Sequence, residues 1–208
     1  MITPKKSLGQ NFLMHARIAE RIALTAKLNP EQIAFEVGPG TGMITRELLK
    51  VAKHVIALEA DFELYEKLQE SFKEEITSGM LELVHGDIRT FDIDSLPKGY
   101  AVVANIPYYI TGEIFKLFLT ARNQPSTMTL LVQKEVAERI ARSKKESILS
   151  LSIKVYGKPK LEFTVPRGAF IPAPKVDSAV LTIRDISRSQ FKNREEEERF
   201  FALIHAGF

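Results

Sequence analysis

The chain has 208 residues, enough for one domain with a substantial core, and its 45% hydrophobic and 26% charged content is that of an ordinary globular protein. It has no cysteine, which excludes disulfides and thiolate metal centres, and His15, His54, His85 and His205 lack ligand-like spacing, so no metal is expected. The net charge of +3 includes the acidic run Glu195 to Glu198; the rest of the chain is more basic, a balance that suits a polyanion without demanding one.

Lys5 and Lys6 are not followed by an apolar leader region, and no stretch approaches the length of a membrane span, so a cytoplasmic protein is expected. Ser7-Leu8-Gly9-Gln10-Asn11-Phe12-Leu13 reads as a loop or arm rather than a strand. The next segment keeps Ile18, Ala19, Ile22, Ala23 and Ala26 on one helical face until Asn29-Pro30 ends it. Ile33 to Val37 is a strand, and Gly38-Pro39-Gly40-Thr41-Gly42 leads from it into a helix over Met43 to Ala52.

Three glycines in that turn let backbone approach a ligand closely. The turn lacks the lysine of a phosphate loop and the spacing of a dinucleotide site. Its Glu-x-Gly-x-Gly-x-Gly order better suits a nucleoside with an amino-acid tail, although glycine turns also join strands to helices without any ligand. His54 to Glu59 is a second strand, and Glu59 is placed to accept from ribose hydroxyls or to open the next helix as a solvated acid. Leu64, Leu68 and Phe72 form the stripe of that helix. Met80 to His85 is a third strand, followed by Gly86-Asp87-Ile88, where Asp87 suits an adenine amino group or a helix cap.

Tyr100 to Ala104 reads as a fourth buried strand, and Asn105-Ile106-Pro107-Tyr108-Tyr109-Ile110 stands at its C-terminal end, where open α/β sheets bind ligands. These residue types suit methyl transfer to a flat exocyclic amine. The lone pair of such an amine is delocalised into its ring, so acceptors must hold its N–H groups and favour a pyramidal nitrogen. The Asn105 side-chain oxygen and a carbonyl whose direction Pro107 sets are candidate acceptors, and Tyr108 offers a stacking face. A plain strand followed by a proline turn is the alternative.

A helix then carries Ile114, Phe115, Phe118 and Leu119; Met128 to Gln133 is a fifth strand, and Glu135 to Arg142 a helix. After the charged break Ser143 to Glu146, Ile148 to Tyr156 reads as a helix on the sheet. Leu161 to Val165 and Ser178 to Ile183 read as a late antiparallel pair. The proline-rich loop between them holds Phe170, either as one face of a base site or as core. From Ser187 the chain turns polar, and Glu195 to Phe208 reads as a last helix.

Taken in order, Gln10 to Leu13, Glu36 to Gly42, Glu59, Gly86-Asp87, Asn105 to Tyr108 and Phe170 to Ser178 resemble the ribosomal RNA adenine N6,N6-dimethyltransferase family over nearly the whole chain. The resemblance implies a Rossmann-like methyltransferase fold, with a mostly parallel seven-stranded sheet and an antiparallel late strand. It also implies S-adenosylmethionine as cofactor, S-adenosylhomocysteine as product, and ribosomal RNA of the small subunit as partner of a monomer. Gln10, Asn11 and Leu13 would border the cofactor, with Gly38 and Gly40 under its methionine part, Glu59 on its ribose, and Asp87 with Ile88 at its adenine. Asn105 and the Ile106 carbonyl would hold the target N6, while Tyr108 and Phe170 sandwich the base.

Residues 1–186 would form the catalytic domain, and residues 187–208 the start of a C-terminal helical subdomain that looks truncated, so weak RNA binding is expected. Gly9 and Asp177 favour the housekeeping small-subunit branch, while Tyr109 departs from the smaller polar residue many of its members carry. Lys5, Lys6, Arg139, Arg142, Lys144, Lys145, Lys154, Lys158, Lys160 and Lys175 are candidates for the RNA-facing surface. Rival readings are a resistance-type large-subunit methyltransferase, a non-catalytic ribosome-assembly factor, a DNA adenine methyltransferase and a small-molecule methyltransferase.

Overall fold

The computed structural model describes residues 4–5, 8–143 and 145–207. Its strands are β1 (Phe12–Leu13), β2 (Ile33–Val37), β3 (His54–Glu59), β4 (Leu81–His85), β5 (Ala101–Asn105), β6 (Thr127–Gln133), β7 (Lys158–Val165), β8 (Phe170–Ile171) and β9 (Ser178–Arg184). Its helices are α1 (Ala16–Ala26), α2 (Met43–Leu48), α3 (Phe62–Ser71), α4 (Lys73–Thr77), α5 (Thr111–Thr120), α6 (Lys134–Ala141), α7 (Ile148–Lys154) and α8 (Arg194–Gly207).

Seven strands form one sheet in the order β4-β3-β2-β5-β6-β9-β7. The first five are parallel to one another, and β9 lies antiparallel to both β6 and β7. Central strands covered on both faces need apolar side chains at successive positions, which is why Val102, Val103 and Ala104 run without interruption. Their alternation divides the core in two. Phe35, Val102 and Leu130 pack with Phe115, Phe118, Ile140 and Ile153 from α5, α6 and α7. Ala34, Val103 and Leu131 pack with Ile22, Ala23, Ile44 and Leu68 from α1, α2 and α3. The result is the expected Rossmann-like three-layer fold. The chain winds outward from β2 to β4, then returns to the other side of β2 as β5, so the switch point lies between β2 and β5.

Three local expectations need correction. The segment read as a loop contains β1, whose Phe12 and Leu13 pair antiparallel with Ile171 and Phe170 of β8. Two residues are too few to display an alternation. The α2 helix ends at Leu48 rather than Ala52, and residues 49–51 form turns. The helix predicted through Phe72 breaks into α3 and α4, because Phe72 leaves helical geometry (φ −120°) and buries its ring completely. At the other end α8 has no buried residue and packs beside α7 and on Tyr156 just past it, whose ring lies 5.9 Å from those of Phe191, which precedes α8, and Phe201 within it. Phe208, the predicted end of that helix, lies outside the described residues. No described helix is long and apolar enough to cross a membrane.

Candidate active site

A cleft opens over the C-terminal ends of β2 to β5, at the switch point. It is lined by the arm (Leu8 to Leu13), the glycine turn, Glu59, Asp87, Ile88 and the segment Asn105 to Ile110. Every candidate site residue except Phe170 therefore meets in one place, although those residues come from segments as far apart as Gln10 and Tyr108.

The floor is the glycine turn. Gly38 stands at φ +70°, and a Cβ built there would meet no atom within 4 Å, so the backbone faces open cleft. The turn is tied to β3 by Gly38 N–H donating to the Leu58 carbonyl at 2.9 Å and Gly40 N–H donating to Glu59 Oε2 at 3.0 Å. The other oxygen of Glu59 accepts from the Asp61 N–H at 2.9 Å. Burial pushes the Glu59 carboxyl above its ordinary value despite these donors. Each oxygen keeps a second lone pair for a further donor. Beneath the turn, Glu36 is fully buried, and its Oε2 accepts from Thr45 Oγ1 at 2.7 Å. Burial raises its carboxyl to about 8.

At the end of β4, Asp87 holds Arg89 through both carboxylate oxygens, at 2.5 to 3.1 Å. It also accepts the Arg89 backbone N–H at 2.9 Å, and the arginine holds its carboxyl below the ordinary value. No helix follows Asp87, since residues 88–90 form a turn, so it caps none; an incoming amino group would have to share it with the guanidinium. Ile88 is buried at the cleft wall.

Asn105 ends β5. Its Nδ2 donates to the Asn11 carbonyl of the arm at 3.0 Å, which sets the orientation of the amide. Its Oδ1 accepts no hydrogen bond among the described residues. Pro107 follows at φ −57° and ψ 133°, and Tyr108 opens a single 3-10 turn leading into α5. The Tyr108 hydroxyl lies 2.6 Å from Ser178 Oγ, and burial pushes its pKa above the ordinary tyrosine value. Tyr109 is exposed, with its ring so close to Gly9 that a Cβ there would stand 2.9 Å from Cε1.

The arm is latched by Asp61, which sequence reasoning passed over. Lys5 Nζ donates to Asp61 Oδ1 at 2.7 Å, and Gln10 Nε2 donates to Oδ2 at 3.0 Å. Asp61 also caps α3 through the Glu63 N–H. Burial alone would raise its carboxyl, but Lys5 and Gln10 outweigh burial and hold it below the ordinary value. The position of Asp61 just before a helix advertised a cap; its bond to a lysine 56 residues earlier left no local trace.

Two further expectations are corrected. Phe170 does not line the cleft: its side chain packs in the core with Leu13, Val165 and Ala169. Pairing of β8 with β1 turns Phe170 inward, and alternation sends Ile171 outward at 57% exposure. The basic surface is also partly neutralised, since Lys5, Lys154, Lys158 and Lys160 are paired with Asp61, Glu146, Asp185 and Glu162. Lys6 and Lys144 lie outside the described residues. Among the described residues no group of three or more histidines and carboxylates is clustered as a metal site would require.

The family model for ribosomal RNA adenine dimethylase matches residues 1–208. The chain belongs to that family. This dimethylase-family chain is 42% identical over 208 residues to a ribosomal RNA small subunit methyltransferase A of Dehalococcoides mccartyi, covering 98% of the chain and 70% of the relative. Among solved structures it resembles the 23S rRNA methyltransferase ErmE, with a TM-score of 0.81 and 31% identity, over 94% of this chain and 78% of that one. It also resembles a dimethyladenosine transferase from Plasmodium falciparum, with a TM-score of 0.80 and 29% identity, over 93% of this chain and 69% of that one.

Proposed function

We propose that the protein transfers methyl groups from S-adenosylmethionine to the exocyclic N6 of adenosines in small-subunit ribosomal RNA, twice at each target. The observation that carries this reading is the Asn105 amide: its Nδ2 is engaged by the Asn11 carbonyl, leaving Oδ1 as an acceptor at the strand end that lines the cleft. Family membership and the small-subunit name of the Dehalococcoides relative supply the substrate class.

The residues present suit the cofactor. Gly38 offers backbone with no side chain over it, Glu59 a buried carboxylate at the end of β3, Asp87 a second carboxylate at the end of β4, and Gln10, Asn11 and Leu13 a cover. S-adenosylmethionine would supply an electrophilic methyl carbon when bound. Asn105 Oδ1 and the Ile106 carbonyl accept the two N6 protons and favour a pyramidal nitrogen, whose lone pair is then free of the ring. Pro107 sets the direction of that carbonyl, and Tyr108 stacks on the base, which must first leave its helix or come from an unpaired loop. The amine becomes acidic only after it gains positive charge, so the cleft needs no strong general base. For a second transfer Asn105 still has one N6 proton to hold.

Residues 187–208 are assigned to the start of a further helical unit that adds grip on RNA, and the protein is expected to act as a monomer in the cytoplasm. The test is transfer of label from S-adenosylmethionine to undermethylated small subunits, with large subunits in parallel and Asn105→Ala as control. Label confined to the small subunit and abolished by Asn105→Ala is expected. Label in large-subunit RNA would move the reading to the resistance type, and undiminished transfer by the variant would end the assignment of Asn105.

A further inference from the structure

The Tyr108 ring is held at both ends. Near its backbone, Pro107 fixes the entry, and Thr111 Oγ1 donates to the Tyr108 carbonyl at 2.9 Å. At the far end the phenol oxygen meets Ser178 Oγ at 2.6 Å, across 70 residues of sequence. Ser178 is completely buried. It begins β9 and pairs with Gln133 of β6 on one side and Val165 of β7 on the other. The preceding residue is pinned as well: the Asp177 carbonyl accepts from Lys134 N–H at 3.0 Å, and its carboxylate accepts from Arg167 N–H at 2.9 Å. A hydroxyl mounted on this part of the sheet has little freedom to follow a moving ring.

Burial of a serine hydroxyl requires a partner, and among the described residues Tyr108 is the one side chain bonded to Ser178 Oγ. Phe170, the other aromatic side chain assigned to the target base, is packed in the core. Orientation of the base therefore falls on Tyr108 alone in this conformation. Building on the proposed adenine N6 transfer, we infer that Ser178 is a positioning residue for the target base: it anchors the Tyr108 ring so that a stacked adenine presents its N6 to Asn105. Ser178 touches neither base nor cofactor and acts through Tyr108.

The test compares Ser178→Ala, Tyr108→Phe and the double variant, using labelled transfer to small subunits and calorimetry with S-adenosylhomocysteine. A misplacement of about 1 Å costs on the order of a hundredfold in rate, and a tethered ring that loses one contact moves less, so each single variant should lose roughly tenfold in kcat. The KM for cofactor and the affinity for S-adenosylhomocysteine should stay within about twofold, because the Tyr108 hydroxyl is not among the groups assigned to the cofactor. The double variant should be no slower than either single one, since both remove the same bond. Multiplied losses in the double variant, or unchanged kcat in Ser178→Ala, would overturn the inference. Tyr108→Phe removes the bond while leaving β9 intact, so unchanged kcat there overturns it even if Ser178→Ala fails to fold. A wild type that labels no ribosomal RNA would sink the functional reading and this inference together; an active wild type beside unaffected variants sinks this inference alone.

Discussion

Gly38 and Gly42 stand in the same turn with almost the same backbone, at φ +70° and +75°, yet substitution should separate ligand binding from stability. Either alanine pays about 1–2 kcal/mol for left-handed geometry. At Gly38 nothing is added, because the new Cβ meets no atom within 4 Å. At Gly42 the Cβ would stand 2.4 Å from Cε2 and 2.7 Å from Cζ of Phe72, and 3.0 Å from Leu68 Cδ2. The Phe72 ring is fully buried and cannot swing aside, so overpacking adds about 1–3 kcal/mol.

Gly42→Ala should therefore lose about 2–5 kcal/mol and Gly38→Ala about 1–2, which at this chain length lowers Tm by roughly 4–20 °C and 2–8 °C. Binding should reverse the order. A methyl at Gly38 occupies cleft space where backbone meets ligand, and should weaken S-adenosylhomocysteine binding by roughly tenfold or more, whereas Gly42→Ala that still folds should bind nearly as wild type. Urea unfolding followed by circular dichroism gives the first quantity, and calorimetry the second. Equal destabilisation by the two alanines, or undiminished affinity in Gly38→Ala, would refute the reasoning.

Three further outcomes are expected. Burial keeps Glu36 protonated up to about 8, whereas the unfolded chain releases that proton near 4.5; the associated stability is full below 4.5 and lost as pH rises through 8, by up to about 1.4 kcal/mol per unit. Urea midpoints across this range should decline more gently in Glu36→Gln, and identical slopes would count against a protonated Glu36. Asp61→Ala removes the cap of α3 at about 1 kcal/mol and unlatches the arm, so amide exchange over residues 8–13 should quicken and cofactor affinity fall; unaltered exchange would show that the latch does not hold the arm. Arg89→Ala frees Asp87 Oδ2 and leaves Oδ1 only the backbone N–H at position 89, so it should tighten S-adenosylhomocysteine binding roughly two- to fivefold, the scale of one exposed ion pair; weaker binding would assign Arg89 itself to the ligand.

Much of the fold was legible because its cause is local. The uninterrupted apolar run at Val102 and the largely apolar ones at Phe35 and Leu130 mark strands buried on both faces, and the glycine turn after Val37 marks the first crossover. That Glu59, Asp87 and Asn105 would line one cleft was legible because strand ends in a parallel sheet converge without help from distant contacts. What escaped is what depends on distant partners. The β1–β8 pair carries no periodicity, so neither it nor the inward turn of Phe170 could be read from the arm or the proline loop alone. Lys5 looked like one more solvated lysine until Asp61 was brought beside it. Arg89, two residues past Asp87, was in plain view, but a bidentate grip depends on a rotamer that sequence does not specify.

The two-stranded ribbon between Phe12 and Ile171 joins residues 159 positions apart. During synthesis the cover of the cleft emerges before any strand of the large sheet, but its docking strand is made only after most of that sheet. A nascent chain can thus assemble the glycine turn and its supporting strands early while the site stays unroofed until late in translation. Fusions that lengthen or stiffen the amino end would burden this last closure more than they burden the body of the protein.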